Sequence, residues 1–201
     1  QATLMGEVMA PVAPVANAVL GFGPARVVLE KVVGVHRDAP MPHASTETIR
    51  QWLRRRPRPT RTPTRGPVVF FHGCAGGFFE VDASKKAIEV LEHLGFEVLV
   101  PQQGCCGLAE QSNGLFEAAT KSVRALVADL RTAGADLTIV STAGSCTGML
   151  KHEAHEILGV DDAELADVGS RAREISEFLL ELHEAGDFPV EELGRIDETI
   201  P

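Results

Sequence analysis

Each of the chain's four cysteines follows a short apolar segment, and this arrangement constrains the fold more than any other feature of the sequence. Cys74 follows residues 68–71, the adjacent pair Cys105 and Cys106 follows residues 98–100, and Cys146 follows residues 137–140. Such runs of β-branched and other apolar residues predict buried strands. If these strands are parallel neighbours, their carboxyl ends share one edge of the sheet, where ligands bind in open α/β folds. We therefore expect all four thiols to meet there.

Helical patterns lie between and after these segments. The predicted strands are residues 68–73, the stretch that begins at residue 98, and residues 137–142. Three helices are predicted to follow them, and the first two end at Gly95 and Gly134. Their apolar faces comprise Ala87, Ile88, Val90, Leu91 and Leu94 in the first, and Leu115, Phe116, Ala119, Val123, Leu126, Val127 and Leu130 in the second. The third covers about residues 147–158, and a last helix covers about 168–185. Strands that alternate with helices predict an α/β fold, a parallel sheet with helices on both faces in the order βαβαβα.

A helical N-terminal arm precedes this unit. Its two apolar stripes are Met5, Val8, Met9 and Val12, then Val27, Val28, Leu29, Val32 and Val33, with a break at residues 21–24. We expect the arm to cover residues 1–53, a Pro/Arg-rich linker residues 54–67, the α/β domain residues 68–185 and a polar tail residues 186–201. The linker contains Arg54, Arg55, Arg56, Arg58, Arg61 and Arg65. It is expected to be solvated or to contact anionic lipid or an acidic partner.

The net charge of −9 argues against general nucleic-acid binding. Residues 8–22 are apolar but too few to cross a bilayer, and Pro11 and Pro14 interrupt them. No basic segment precedes them, so a signal peptide is not expected. Because the chain begins with Gln1, we interpret it as a processed chain or a fragment. In a cytosolic context, four cysteines favour metal or redox chemistry over structural disulfides.

The spacing of the cysteines favours an iron–sulfur cluster over a single zinc ion. Structural zinc sites usually use C-x-x-C pairs, whereas adjacent cysteines chelate one small ion poorly. Cys105 and Cys106 can bind different irons of a wider cluster, and Gly73 and Gly107 allow the backbone to approach the sulfurs. Backbone N–H groups at the helix starts after Cys106 and Cys146 would offset the cluster's negative charge. Zinc, a thiol/disulfide pair and buried inert cysteines remain alternatives.

Three segments also show a family resemblance: residues 70–74 (FFHGC), 104–107 (GCCG) and 145–151 (SCTGMLK). They resemble the cysteine-rich CCG domain that occurs in the B subunits of heterodisulfide reductases and in lactate-utilisation proteins. The domain also occurs in the C subunits of anaerobic glycerol-3-phosphate dehydrogenases. The resemblance to these subunits extends to residues 32–52 of the arm and residues 174–179 of the last helix of this chain. It implies that Cys74, Cys105, Cys106 and Cys146 bind an iron–sulfur cluster. The expected type is a 4Fe-4S cluster, which aerobic purification commonly removes.

The resemblance further implies an electron-transport component of an oxidoreductase in anaerobic respiration, rather than the subunit that oxidises substrate. Its expected partners are flavin-containing dehydrogenase subunits and quinone or a membrane surface. The expected location is cytoplasmic and peripheral, on the inner face of the cell membrane. In the family the CCG motif occurs twice, and this chain is expected to hold only the first copy. Met149 stands where the heterodisulfide reductase pattern has a fifth cysteine, which leaves four thiolates for an ordinary four-iron cluster.

Two other functions remain open: a subunit-docking domain with structural or redox-active thiols, and a disulfide-reducing module like heterodisulfide reductase. Three weaker motifs are given little weight. His152 and His155 lie three residues apart rather than four, so they are expected to be solvated rather than to bind zinc. Residues 73–77 lack the register of a dinucleotide-binding loop. His72 is expected to be a core residue or a donor near the cluster rather than a base for Cys74.

Overall fold

The computed structural model describes residues 10–41, 43–57, 59, 61–192 and 194. Met5, Val8 and Met9 of the first predicted stripe, and Arg58 of the linker, lie outside these residues. The sheet has four parallel strands, β1 (Pro67–Phe71), β2 (Glu97–Leu99), β3 (Ile139–Ser141) and β4 (Ala172–Glu174), in the order β2-β1-β3-β4. The predicted α/β class with an all-parallel sheet is confirmed.

The helices in chain order follow the predicted alternation. Before the sheet lie a 3₁₀ turn (Ala10–Val12), α1 (Ala13–Gly21), α2 (Gly23–Val33) and α3 (Ile49–Arg55). Between β1 and β3 lie α4 (Gly73–Phe78), α5 (Val81–His93), α6 (Leu108–Ser112) and α7 (Phe116–Arg131). After β3 come α8 (Gly144–Gly148), a π-helical turn (Met149–Glu153), α9 (Ala154–Glu156), α10 (Ala163–Arg171), α11 (Ile175–Glu184) and a 3₁₀ turn (Val190–Glu192).

Strand side chains alternate between two cores, one on each face of the sheet. On one face, Val69 and Phe71 pack with residues of α7 and α10, including Val123, Leu126 and Val168. On the other face, Val68, Phe70 and Val140 pack with residues of α3, α5 and α11, namely Ile49, Ile88, Leu91 and Phe178. The predicted placement of helices on both faces is therefore confirmed. The helices on the two faces do not cover the carboxyl ends of the strands.

The single helix predicted over residues 168–185 is wrong, because β4 interrupts it. Ala172 to Glu174 pair with β3 from Ile139 to Ser141. Glu174 has extended backbone angles (φ −70°, ψ 149°) and forms a capping box with α11, in which its carboxylate accepts from the Ser176 N–H. A strong N-terminal cap starts a new helix, and the pairing of three residues with β3 is not visible in the local pattern.

Three residues predicted to be buried are exposed. Leu115 and Phe116 are 55% and 51% exposed, because α7 begins at Phe116 and its first turn extends past the core. Val90 is 40% exposed, because it points away from the α5 face that buries Ile88 and Leu91. The helix predicted over residues 147–158 is divided by the π-helical turn.

The arm forms two helices that meet at a 90° bend around Phe22. Several large apolar side chains of α1 and α2 are exposed, among them Val15, Val28 and Val32. Within the described part of the chain, no single helix has the length and apolarity to cross a membrane. Only the two bent segments Ala10–Gly21 and Gly23–Val33, taken together, meet both criteria.

Helix α3 and the residues that follow it lie against the α/β unit. A Thr48 capping box starts α3, and Ile49 is fully buried in the core beside α5. Arg56 forms two hydrogen bonds with the Glu92 carboxylate, at 2.8 and 2.6 Å. Arg65 donates to the Asp187 carbonyl and stacks on Phe96. These arginines bind the chain's own surface, and the boundaries proposed at residues 53 and 67 stay a prediction.

A candidate metal centre formed by four cysteines

Three loops at the carboxyl-end edge of the sheet carry the cysteines. Cys74 is the second residue of α4, directly after β1. Cys105 and Cys106 lie in the loop between β2 and α6, and Cys146 is the third residue of α8, after β3. Because β1 lies between β2 and β3 and all three run in the same direction, these loops converge.

The four cysteine side chains lie close together, and we call this group the cysteine site. Cys74 and Cys106 are both near enough to Cys105 to change its pKa. The Sγ atoms of Cys106 and Cys146 are 3.2 Å apart. All four cysteines are free thiols. The structure thus brings together every cysteine that the sequence predicts as a ligand.

The cysteine site lies under the surface and opens towards Cys74. Cys106, Cys146 and Cys105 are buried, whereas Cys74 is half-buried. Cys106 and Cys146 pack in the same core as Met149, which is fully buried. Met149 therefore stabilises the wall of the site as an apolar core residue.

Backbone donors point at two of the sulfurs. The Gly107 N–H donates to Cys105 Sγ at 3.4 Å, and the Leu108 N–H donates to Cys106. Gly107 adopts a left-handed conformation (φ 87°) and lies so close to α7 that a Cβ there would be 2.7 Å from the Ala119 carbonyl oxygen. Glycine is required at this position both for the turn and for the close approach. Such N–H groups stabilise negative charge on sulfur.

Gly73, the other predicted glycine, also has a positive φ, of 59°. A Cβ at Gly73 would lie 3.5 Å from Cys146 Sγ, which is ordinary contact distance. The loop after β1 therefore lies directly against the loop after β3. The segments that carry Cys74 and Cys146 are therefore in contact.

The thiols have strongly unequal pKa values. The neighbouring Cys106 and Cys74 thiols, together with the Gly107 N–H, lower the pKa of Cys105. Interaction with Cys105, together with burial, raises the pKa of Cys74 and of Cys106. The hydrogen bond from Cys106 lowers the pKa of Cys146. Cys105 and Cys146 therefore lose their protons more readily than Cys74 and Cys106, and thiolates are the species that bind metals.

This donor set fits a four-iron cluster in the number and chemistry of its ligands. Among the described residues, no group of three or more His, Cys, Asp or Glu side chains is arranged to hold a single metal ion. The Cys106–Cys146 separation of 3.2 Å is shorter than the roughly 3.8 Å that two thiolates keep around tetrahedral zinc at 2.3 Å, and the thiolates of a larger cluster lie farther apart still. Four thiols with backbone donors are the usual cysteine ligands of a four-iron cluster. Binding a cluster would require the Cys106 and Cys146 side chains to move apart.

His72 holds two of the loops together instead of serving as a base. Its backbone N–H donates to Gln103 Oε1 at 2.9 Å, and its ring Nδ1 is 2.6 Å from the Gly73 carbonyl oxygen. Burial, and then the nearby Arg50 charge, lower the pKa of His72 to about 4. The thiol of Cys74 contacts Cys105. The arrangement of His72 and Cys74 as base and nucleophile is therefore not formed.

Sequence reasoning missed Gln103, which links the loops after β1 and β2. Its amide nitrogen donates to the Phe70 carbonyl at 3.0 Å while its oxygen accepts from His72. Its only sequence signal is a position two residues before Cys105, in the loop that follows β2. His152 and His155 are exposed, as predicted, and His155 lies 3.9 Å from the Asp161 carboxylate.

Comparison with known proteins adds family information to this geometry. Residues 68–151 match the family model of the cysteine-rich domain named CCG. The chain is 30% identical over 167 residues to the C subunit of anaerobic glycerol-3-phosphate dehydrogenase from Escherichia coli K12, an alignment that covers 82% of this chain and 42% of that protein. It is 30% identical over 132 residues to lactate utilization protein A of Oceanobacillus iheyensis, covering 64% of this chain and 53% of that protein.

The Bacillus subtilis lactate utilization protein A is 31% identical over 131 residues, covering 65% of this chain and 50% of that protein. The chain thus spans about half the length of the curated relatives it matches. No solved structure matches the chain significantly.

Proposed function

Because residues 68–151 of this chain belong to the cysteine-rich CCG domain family, we propose that the chain is an iron–sulfur electron-transfer component of an anaerobic glycerol-3-phosphate dehydrogenase. The observation that carries the proposal is the convergence of four cysteines from three loops at the carboxyl-end edge of a parallel sheet. The similarity to a dehydrogenase subunit over 82% of the chain supports it.

Cys74, Cys105, Cys106 and Cys146 would hold the cluster, and the lowered pKa values of Cys105 and Cys146 favour the thiolate form that binds iron. When bound, the cluster supplies a centre that accepts and releases one electron at a time. The N–H groups of Gly107 and Leu108 stabilise the sulfur charges. The apolar core around Met149 excludes water from the inner side of the site.

Electrons would pass from flavin-containing partner subunits towards quinone, with this chain contributing no substrate chemistry. Cys74 supports contact with a partner at this edge, since it is the most exposed of the four cysteines. The proposed location is the cytoplasmic face of the cell membrane. The exposed valines of α1 and α2 support peripheral binding, because apolar helix faces of this kind bury into a lipid interface.

Iron binding gives the direct test. After anaerobic purification and reconstitution, the protein should contain about four irons and four sulfides and give an electron paramagnetic resonance signal on reduction. Cys105→Ser should lose most of this iron. The matched control Met149→Leu conserves core volume at a residue that supplies no ligand, and it should retain the iron. Colourless, iron-free protein after reconstitution would contradict the proposal.

The 3.2 Å contact between the Cys106 and Cys146 sulfurs favours a second candidate, a subunit-docking domain with a redox-active dithiol. Under this alternative, a mild oxidant would convert the two thiols into a disulfide. Thiol titration of the denatured, non-reduced protein separates the two functions. A docking domain would show two titratable thiols after oxidation and four after reduction, without any iron uptake.

A further inference from the structure

The pairing of β1 with β2 ends just before the cysteine loops. If the register of the two strands continued by two residues beyond its last pair, Phe71 would lie opposite Pro101. In a parallel sheet, the residue at position 101 would then donate its N–H to the Phe70 carbonyl and accept from the His72 N–H with its own carbonyl. Proline has no N–H to donate. The backbone of Pro101 therefore cannot complete this step of the pairing.

The side chain of Gln103 makes both of these hydrogen bonds instead. Its Nε2 donates to the Phe70 carbonyl at 3.0 Å, and its Oε1 accepts from the His72 N–H at 2.9 Å. A carboxamide carries the same donor and acceptor as a peptide group, so Gln103 replaces the missing backbone partner. The Pro101 carbonyl is bonded to Arg50 at 2.9 Å, which is consistent with a backbone that has turned away from β1. Gln103 is buried, so water does not compete for the two bonds.

From this arrangement we propose that Gln103 is a positioning residue that fixes the distance between the Cys74 segment and the loop that carries Cys105. Cys74 follows His72 by two residues, and Cys105 follows Gln103 by two residues. The connection between the two cysteines through the Gln103 amide is therefore short on both sides. Because β2 leaves the sheet at Pro101, the amide takes over from the strand pairing in holding the loop against the end of β1.

The inference deepens the proposed function and rests on it only for the identity of the group that the thiols hold. The position of the loop is a property of the cluster-free protein, and Cys74 and Cys105 are neighbours within it. An apolar residue at position 103 would leave the His72 N–H and the Phe70 carbonyl, both in buried residues, without these partners. Buried backbone groups are rarely left in that state, so the loop should move until water reaches them.

Thiol cross-linking of the reduced, cluster-free protein tests the position of the loop. Dibromobimane reacts with two thiols and bridges them when they lie close together. In the full chain with Cys106→Ala and Cys146→Ala, the reagent can bridge only Cys74 and Cys105. We expect mass spectrometry of this parent to show mainly one bridging bimane. Addition of Gln103→Leu should lower the bridged fraction several-fold and give two separate adducts instead, because a small displacement strongly reduces a proximity-dependent reaction.

Val68→Ala in the same parent is the matched control. It removes buried methyl groups from β1 and weakens the core, but it leaves both hydrogen bonds of Gln103 in place. It should therefore keep the bridged fraction of the parent. Gln103→Asn keeps an amide on a side chain that is one methylene shorter, so it should lower the bridged fraction too, and it decides the question if Gln103→Leu does not fold. Bridged fractions equal to that of Val68→Ala, or a parent that is not bridged, would overturn the inference.

Iron binding to the four-cysteine protein separates this result from the proposed function. After the same anaerobic reconstitution, Gln103→Leu should retain less iron than Val68→Ala, because residues that orient metal ligands contribute to metal affinity. Equal iron contents in these two variants would contradict the inference. If the unsubstituted protein binds no iron, the proposed function is wrong, and the cross-linking result alone decides whether Gln103 positions the loop.

Discussion

Replacement of Gly107 by alanine tests whether the close approach of the cysteine loop to α7 is required. Gly107 has a φ of 87°, and a Cβ there would lie 2.7 Å from the Ala119 carbonyl oxygen and 3.1 Å from its Cα. Both contacts are with helix backbone, which cannot rotate away as a flexible side chain can. The loop or the helix must therefore shift.

Two costs contribute to the expected loss of stability. An alanine in the left-handed region costs about 1–2 kcal/mol. Overpacking against a fixed backbone adds about 1–3 kcal/mol. We therefore expect Gly107→Ala to lower the free energy of unfolding by about 2–5 kcal/mol. At a denaturant dependence of about 2 kcal/mol per molar, the urea midpoint would fall by roughly 1–2.5 M.

Gly114→Ala is the matched control for this measurement. Gly114 has a similar φ of 75°, but no atom lies within 4 Å of the position that an added Cβ would take. It should therefore lose only the conformational part, about 1–2 kcal/mol. Urea unfolding of the reduced, cluster-free proteins, followed by far-UV circular dichroism, compares the two. If Gly107→Ala is no more destabilising than Gly114→Ala, the close approach to α7 does not constrain the loop.

Three further changes test the core and the ion pairs. Leu126→Ala removes a fully buried side chain of the α7 core and should lower the free energy of unfolding by about 2–5 kcal/mol in urea unfolding. Arg56→Gln leaves the half-buried Glu92 carboxylate without its partner and should cost about 2 kcal/mol, a loss that Glu92→Gln in the same protein should partly restore. The hydrogen bond from Arg171 lowers the pKa of Asp167, so this carboxylate stabilises the fold above its unfolded pKa of 3.8 and loses that effect as the pH falls below it. Asp167→Asn should therefore cost roughly 0.3 kcal/mol at pH 7 and less at pH 3, a small effect because solvent screens the pair; an equal cost at both pH values would contradict this reasoning.

Local patterns in the sequence were sufficient for three of the four strands, for their parallel arrangement and for the meeting of the cysteines. Apolar runs and helical periodicity report which residues are buried, and parallel strands place their carboxyl ends together whatever their order. The convergence of Cys74, Cys105 and Cys146 follows from these two facts. The roles of the cysteines as cluster ligands stay a prediction, since the geometry alone does not identify the group they bind.

Long-range packing decided the features that the sequence did not reveal. The fourth strand exists because Ala172 to Glu174 pair with β3, and neither the pairing nor its register has a local signal. Leu115 and Phe116 fit the helical stripe, yet the position of α7 on the sheet leaves them exposed.

The interior of the site depends on tertiary structure for the same reason. Gln103 joins two loops that are more than thirty residues apart in the chain. Periodicity in a sequence indicates which residues are buried. The hydrogen-bond partner of a buried polar group, by contrast, depends on which distant segments of the chain pack against it.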